Sequence, residues 1–171
     1  YPLRRQRQMC IRDRPVLERP EIRDLFQRQG VLTPVELESR FEVYAEQYIL
    51  AIEVETRLAV RIARTQIYPV AMQCLERLSR SLRDQEAIGI QTDRGLAATI
   101  ADLNSKLVHR ASALEEALAH PPHDTHGHLR HCADTLMPLI GSLREAVDGL
   151  EALVDDDLWP LPTYQEMLFV R

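Results

Sequence analysis

Five histidines, His120, His123, His126, His128 and His131, fall within twelve residues, with Cys132 beside the last. His123 and His126 stand three apart, and His128 and His131 repeat that spacing. Imidazoles so placed on a helix can share a zinc, nickel or copper ion. The segment straddles Pro121-Pro122 and Gly127, however, and Asp124 is the one carboxylate placed to orient a ligand. The reading adopted is a polar loop of solvated histidines, with His123, His126, His128 and His131 as the weak metal candidates. Glu55 is the other residue of interest. It falls in an apolar helical stripe where a leucine is expected, and a carboxylate buried there needs a partner or a proton. A structural pair with an Arg, His or Tyr of a facing helix or subunit is preferred to an acid/base site. No Glu-x-x-His motif of a di-iron bundle accompanies it. Asp155, Asp156 and Asp157 can attract a hard cation, but three adjacent carboxylates diverge, so they read as a solvated helix end.

Other chemistries lack their residues. The sequence has no Gly-rich phosphate loop, no Gly-x-Ser-x-Gly elbow and no His-Glu-x-x-His. With only 6 glycines in 171 residues, the turns of a catalytic α/β domain are scarce. A net charge of −5 gives no electrostatic reason to bind nucleic acid. No apolar run approaches the length of a membrane span. Cys10, Cys74 and Cys132 follow no zinc or redox spacing, so reduced thiols in a cytoplasmic setting are expected. Lys106 is the only lysine beside twenty arginines, a bias better ascribed to a GC-rich genome than to function. The arginine-rich start YPLRRQRQMCIRDR has no core-forming pattern and resembles translated adapter sequence; residues 1–14 are read as disordered or non-native.

The elements that must position these residues are helical. Pro20 opens a short helix with Ile22, Leu25 and Phe26 on one face and Gly30 as its stop. Thr33, Pro34 and Glu36 form a capping-box start. From there Leu37, Phe41, Tyr44, Tyr48, Ile52, Ala59 and Ile62 lie within about 40° of one line, which predicts one long amphipathic helix. Pro69 is expected to kink it, and Ala71, Leu75, Leu78 and Leu82 lie on a different face. Residues 84–92 read as a connection. A second helix from about Asp93 carries Leu96, Ile100, Leu103, Leu107, Leu114 and Leu118, and ends at His120-Pro121-Pro122. A third begins near Asp124, carries Leu129, Ala133, Leu136, Ile140, Leu143, Val147 and Leu150, bends at Pro138 and ends at Asp155. A last single turn is expected from Thr163 to Phe169. No alternating run predicts a strand. Glu36 with Arg40, and Glu53 with Arg57, are spaced as solvated i,i+4 pairs. The fold class expected is an all-α antiparallel bundle of three long helices, two kinked at proline, with short terminal helical segments.

Two stretches carry a family resemblance. The run VLTPVELESRFEVYAEQYILAIEVETRLAVRIARTQIYPVAMQ and the distant LREAVDGLEALVDDDLWPLPTYQEMLFVR are similar to the C-terminal region of type III glutamine synthetases. Glu38 to Arg40, Tyr44 and Tyr48, Ile52-Glu53, Ile67 and Pro69 carry the first match. Asp157-Leu158-Trp159-Pro160, Pro162, Tyr164, Glu166 and Leu168-Phe169 carry the second, and Glu55 lies within the first. Similarity covers roughly residues 17–83 and 134–171; the histidine segment departs from the family. The resemblance implies a parent enzyme that joins ammonia to L-glutamate with ATP and Mg2+ or Mn2+, and residues 15–171 would be its C-terminal helical domain.

Catalytic, ATP and metal motifs of that family have no counterpart here, so no catalytic residue is transferred. The resemblance also implies large two-ring oligomers. The expected partners are the catalytic domain of the same enzyme and neighbouring subunits, with no nucleic acid and no membrane. Trp159, Tyr164, Met167, Leu168 and Phe169 would cover the bundle end or dock on that catalytic domain. Two other functions are kept open: a stand-alone metal-binding bundle using His120–His131, and a partner-binding helical module.

Overall fold

The computed structural model describes residues 19–162. The expected segments Thr163–Phe169 and 1–14, with Tyr164 and Glu166, lie outside them. Every regular element among the described residues is helical, as the sequence predicts. The order is α1 (Pro20–Arg28), α2 (Pro34–Ile62), a π-turn (Ala63–Ile67), α3 (Tyr68–Ala87), α4 (Gly95–Ala119), α5 (Thr125–His131), a second π-turn (Cys132–Leu136) and α6 (Met137–Glu151). A 3-10 turn, Asp156–Leu158, closes the described chain.

The starts and stops have local causes. Pro20 opens α1, and Gly30 follows it at φ 62°, a left-handed conformation suited to glycine. Thr33 and Glu36 make the expected capping box at α2. The Glu36 carboxylate accepts from the Thr33 amide and hydroxyl at 2.8 Å, and the Glu36 amide donates back to the Thr33 hydroxyl at 3.3 Å. Those hydrogen bonds hold the Glu36 carboxyl below the usual carboxylate range. The connection is shorter than expected, because α3 continues to Ala87 before Gly89 turns at φ 79°. Thr92 and Arg94 both reach back to the Glu86 carboxylate, at 2.9 and 2.6 Å, which fastens the corner.

Both internal prolines are handled alike. Each sits just past a π-turn: Pro69 after Ala63–Ile67 and Pro138 after Cys132–Leu136. The Tyr68 amide donates to the Ala63 carbonyl and the Met137 amide to the Cys132 carbonyl, five residues back in each case. An α-helix would drive the proline ring into the carbonyl four residues earlier. The wider turn moves that carbonyl, of Thr65 or Asp134, away from the ring, and the helix runs on.

A π-turn also holds one extra residue, which turns the following face back by about 100°. That matters because the buried seam of α2 drifts. Leu37, Phe41, Ala45, Ile52, Thr56 and Val60 are buried, mostly four residues apart, and each such step advances the face by about 40°. Positions read on one fixed line are therefore left behind. Tyr44 is 47% exposed, and Ala59 and Ile62 are only half-buried.

The contacts divide the chain into two compact units. Among the described residues, one is built around residues 19–55 together with Ala117–Pro138; the other is built around Thr56–Glu116 and residues 139–162. In the first, Phe41, Ala45 and Leu129 form a core on which Tyr48 and Ile49 pack. In the second, α4 runs antiparallel to both α3 and α6. Arg64 binds Ser112 at 3.0 Å and Glu115 at 2.5 Å, Arg110 donates to the Ser142 carbonyl, and Arg77 lies 3.7 Å from Asp155. α4 buries Ile100, Asn104, Leu107, Ala111 and Leu114, whereas the expected Leu96 is 43% exposed.

Asp124 caps α5 by accepting from the Gly127 amide at 2.7 Å. A Cβ at Gly127 would stand 2.6 Å from the other oxygen of that carboxylate. Gly127→Ala should therefore lower the melting temperature, although alanine is the better helix former by about 1 kcal/mol. Adding Asp124→Ala to that variant should change little further, since both remove one interaction. Thermal melts of the three variants check the coupling.

Candidate functional site

The histidine segment is helical from Thr125 to His131, where a loop was expected. α5 exists because Asp124 caps it, and the Gly127 amide holds the Asp124 carboxyl below its usual range. The cap's contribution is thus complete above the ordinary carboxylate range and fades as pH falls through the lowered value. From α5 the imidazoles diverge. His126 stacks on Phe41 with ring centroids 5.3 Å apart and an interplanar angle of 21°. His128 places Nε2 3.0 Å from the Glu53 carboxylate, with only 19% and 17% of the two side chains exposed. That nitrogen lies off the line a hydrogen bond requires, so the two side chains meet as a packed pair. His131 donates from Nε2 to the Ala117 carbonyl at 2.9 Å. His120 and His123 are exposed. Among the described residues no three His, Cys, Asp or Glu side chains are placed to share a metal ion.

Glu55 corrects a second expectation. It is exposed, and the half-buried carboxylate is Glu53, two residues earlier. The cause is the drift of the seam: by Thr56 the inward face has rotated away from Glu55 and toward Glu53. Glu53 also acts on Cys132. The thiol is fully buried, and burial first and the Glu53 charge second push its pKa up to about 11. A thiol so placed is a packing group and not a nucleophile.

The three aspartates behave as a helix-end structure. α6 stops at Glu151, earlier than expected, and Asp155 caps the 3-10 turn by accepting from the Asp157 amide at 3.3 Å. Its other oxygen faces Arg77. The Trp159 amide donates to the Asp155 and Asp156 carbonyls, both at 3.1 Å, which leaves the indole half-buried. Of the remaining family-motif positions, Glu38, Arg40, Pro160 and Pro162 are exposed, while Tyr48 packs on the Phe41 core.

Sequence reasoning missed the polar residues inside the seams. Thr56 and Asn104 are buried, at 0% and 5% exposure. Asn104 was discoverable as the one polar residue in step with Ile100, Leu107 and Leu114. The pairs of Arg64 with Glu115 and of Arg110 with Ser142 left no local signal, because their partners are distant in sequence.

Taken together, these groups hold helices in place and do not converge on a reacting point. Glu53→Ala should cost about 1–2 kcal/mol by leaving the half-buried His128 without its carboxylate. Glu55→Ala should change stability by less than about 0.5 kcal/mol in a urea titration. Cys132 should resist alkylation by iodoacetamide at pH 8 in the folded chain and react in denaturant; mass spectrometry of the labelled peptide reads the difference.

Residues 7–86 match the family model of the glutamine synthetase C-terminal domain. A glutamine synthetase of Bacteroides fragilis is 30% identical over 153 residues, covering 84% of this chain and 21% of that protein. A type-3 glutamine synthetase of Dictyostelium discoideum is 27% identical over 158 residues, with 86% and 21% covered. A glutamine synthetase of Butyrivibrio fibrisolvens is 26% identical over 160 residues, with 85% and 22% covered. The chain thus spans about a fifth of the length of these relatives. Over residues 7–86 it is similar to the glutamine synthetase C-terminal domain, and the relatives extend that similarity along more than four-fifths of the chain.

Proposed function

We propose that this chain is the C-terminal accessory domain of a type III glutamine synthetase, bracing the catalytic body and its neighbouring subunits. The observation that carries the reading is the domain match over α1 to α3, extended by relatives that align across more than four-fifths of the chain. The complete enzyme would form L-glutamine from L-glutamate, ammonia and ATP with Mg2+ or Mn2+, in the cytoplasm. The described residues do not fit that metal or nucleotide: Asp155 is committed to a cap and to Arg77, and Glu53 faces an imidazole. Accordingly no catalytic step is assigned to them. No helix among the described residues is long and apolar enough to cross a membrane.

The support is physical as well as familial. Helices that bury Leu, Ile and Ala along continuous seams make stiff struts, and stiffness is what an assembly domain supplies. The metal-binding alternative has no such support, because His126, His128 and His131 are spent on three separate contacts.

In the complete enzyme, removing the segment 34–162 should reduce the assembly's mass in light scattering and abolish most L-glutamine formation. The isolated chain should form none. A truncated enzyme that keeps its full size and rate would overturn the proposal.

A further inference from the structure

The second unit holds a polar residue at a position where stability alone would place leucine. On α4 the buried residues Ile100, Asn104, Leu107, Ala111 and Leu114 alternate steps of four and three. That is heptad spacing, the pattern of a helix packed along its whole length on its neighbours. Asn104 is 5% exposed, and its amide oxygen meets no donor among the described residues. Burying an acceptor in this way opposes folding, so the residue calls for another explanation.

The neighbourhood supplies one. Beside Asn104, the Leu103 methyls lie 3.1 and 3.2 Å from where a Cβ on Gly149 would stand, so α4 and α6 approach closely there. Two turns further along, Arg110 donates to the Ser142 carbonyl and lies 3.9 Å from Glu145. Both contacts belong to one antiparallel alignment of α4 with α6. A seam of Ile, Leu and Ala does not by itself define that alignment. Slipped by one heptad, apolar residues would again meet apolar residues at nearly equal gain. A single carboxamide breaks the degeneracy, because each slipped alignment presses it against a different set of aliphatic groups.

We infer that Asn104 is a register lock: it costs the second unit stability and holds α4 in one alignment against its neighbours. The inference stands apart from the proposed function and concerns only how this chain selects its packing.

Asn104→Leu and the smaller Asn104→Ala test it in the full chain, with thermal melts and amide NMR on each. The lock predicts that Asn104→Leu melts higher, by about 2–6 °C. Amides of α4 and α6 should nevertheless give more than one set of resonances in both variants, against one set in the parent. A lower melting temperature for Asn104→Leu would overturn the inference, since the amide would then be making a stabilising bond. So would one set of resonances in both variants, since alignment would then not depend on the carboxamide.

Discussion

The rest of the structure depends on keeping one buried face along a helix much longer than a single turn pattern can hold. An α-helix turns every 3.6 residues, and the inward residues from Leu37 to Val60 recur mostly every four. Left alone, such a seam winds around its own helix and leaves the core. The π-turn at Ala63–Ile67 adds one residue and turns the face back, so that Ala71 and Cys74 are buried beyond it. The same turn spares Pro69 a collision that an α-helix would impose. One local irregularity therefore solves a phase problem and a steric problem together, and the chain repeats the device before Pro138.

This constraint explains what was legible in the sequence. Composition, capping boxes and the spacing of leucines were enough for the helical class and for the start of α2, since Thr33 and Glu36 act within four residues. The prolines marked the right places for an irregularity but not its form. Glu55 was misplaced because a fixed period was applied to a drifting seam, and the error reached about a quarter-turn by Thr56. Asn104 was passed over because a leucine stripe draws attention to its leucines. The distant pairs of Arg64 and Arg110 depend on helix alignment, which no local pattern encodes.

The histidines illustrate the difference between proximity in sequence and convergence in space. Five imidazoles within twelve residues look like a ligand set, yet a helix fans successive side chains about 100° apart. His126 meets an aromatic ring, His128 a carboxylate and His131 a carbonyl oxygen. Each contact uses a different part of the ring: its face, its packed edge and its N–H donor. A metal would need the three rings to surrender these partners and rotate toward one point.

Polar groups set inside apolar seams are what distinguish this domain from a generic bundle. Thr56 and Asn104 sit fully inside their seams, and Glu53 and His128 occupy the margin of another. Buried polar groups oppose folding unless their partners are supplied, so each favours the one alignment that supplies them, or that excludes worse ones. A free-standing helical domain selected only for stability would replace them with aliphatic residues. What such groups supply instead is uniqueness of packing.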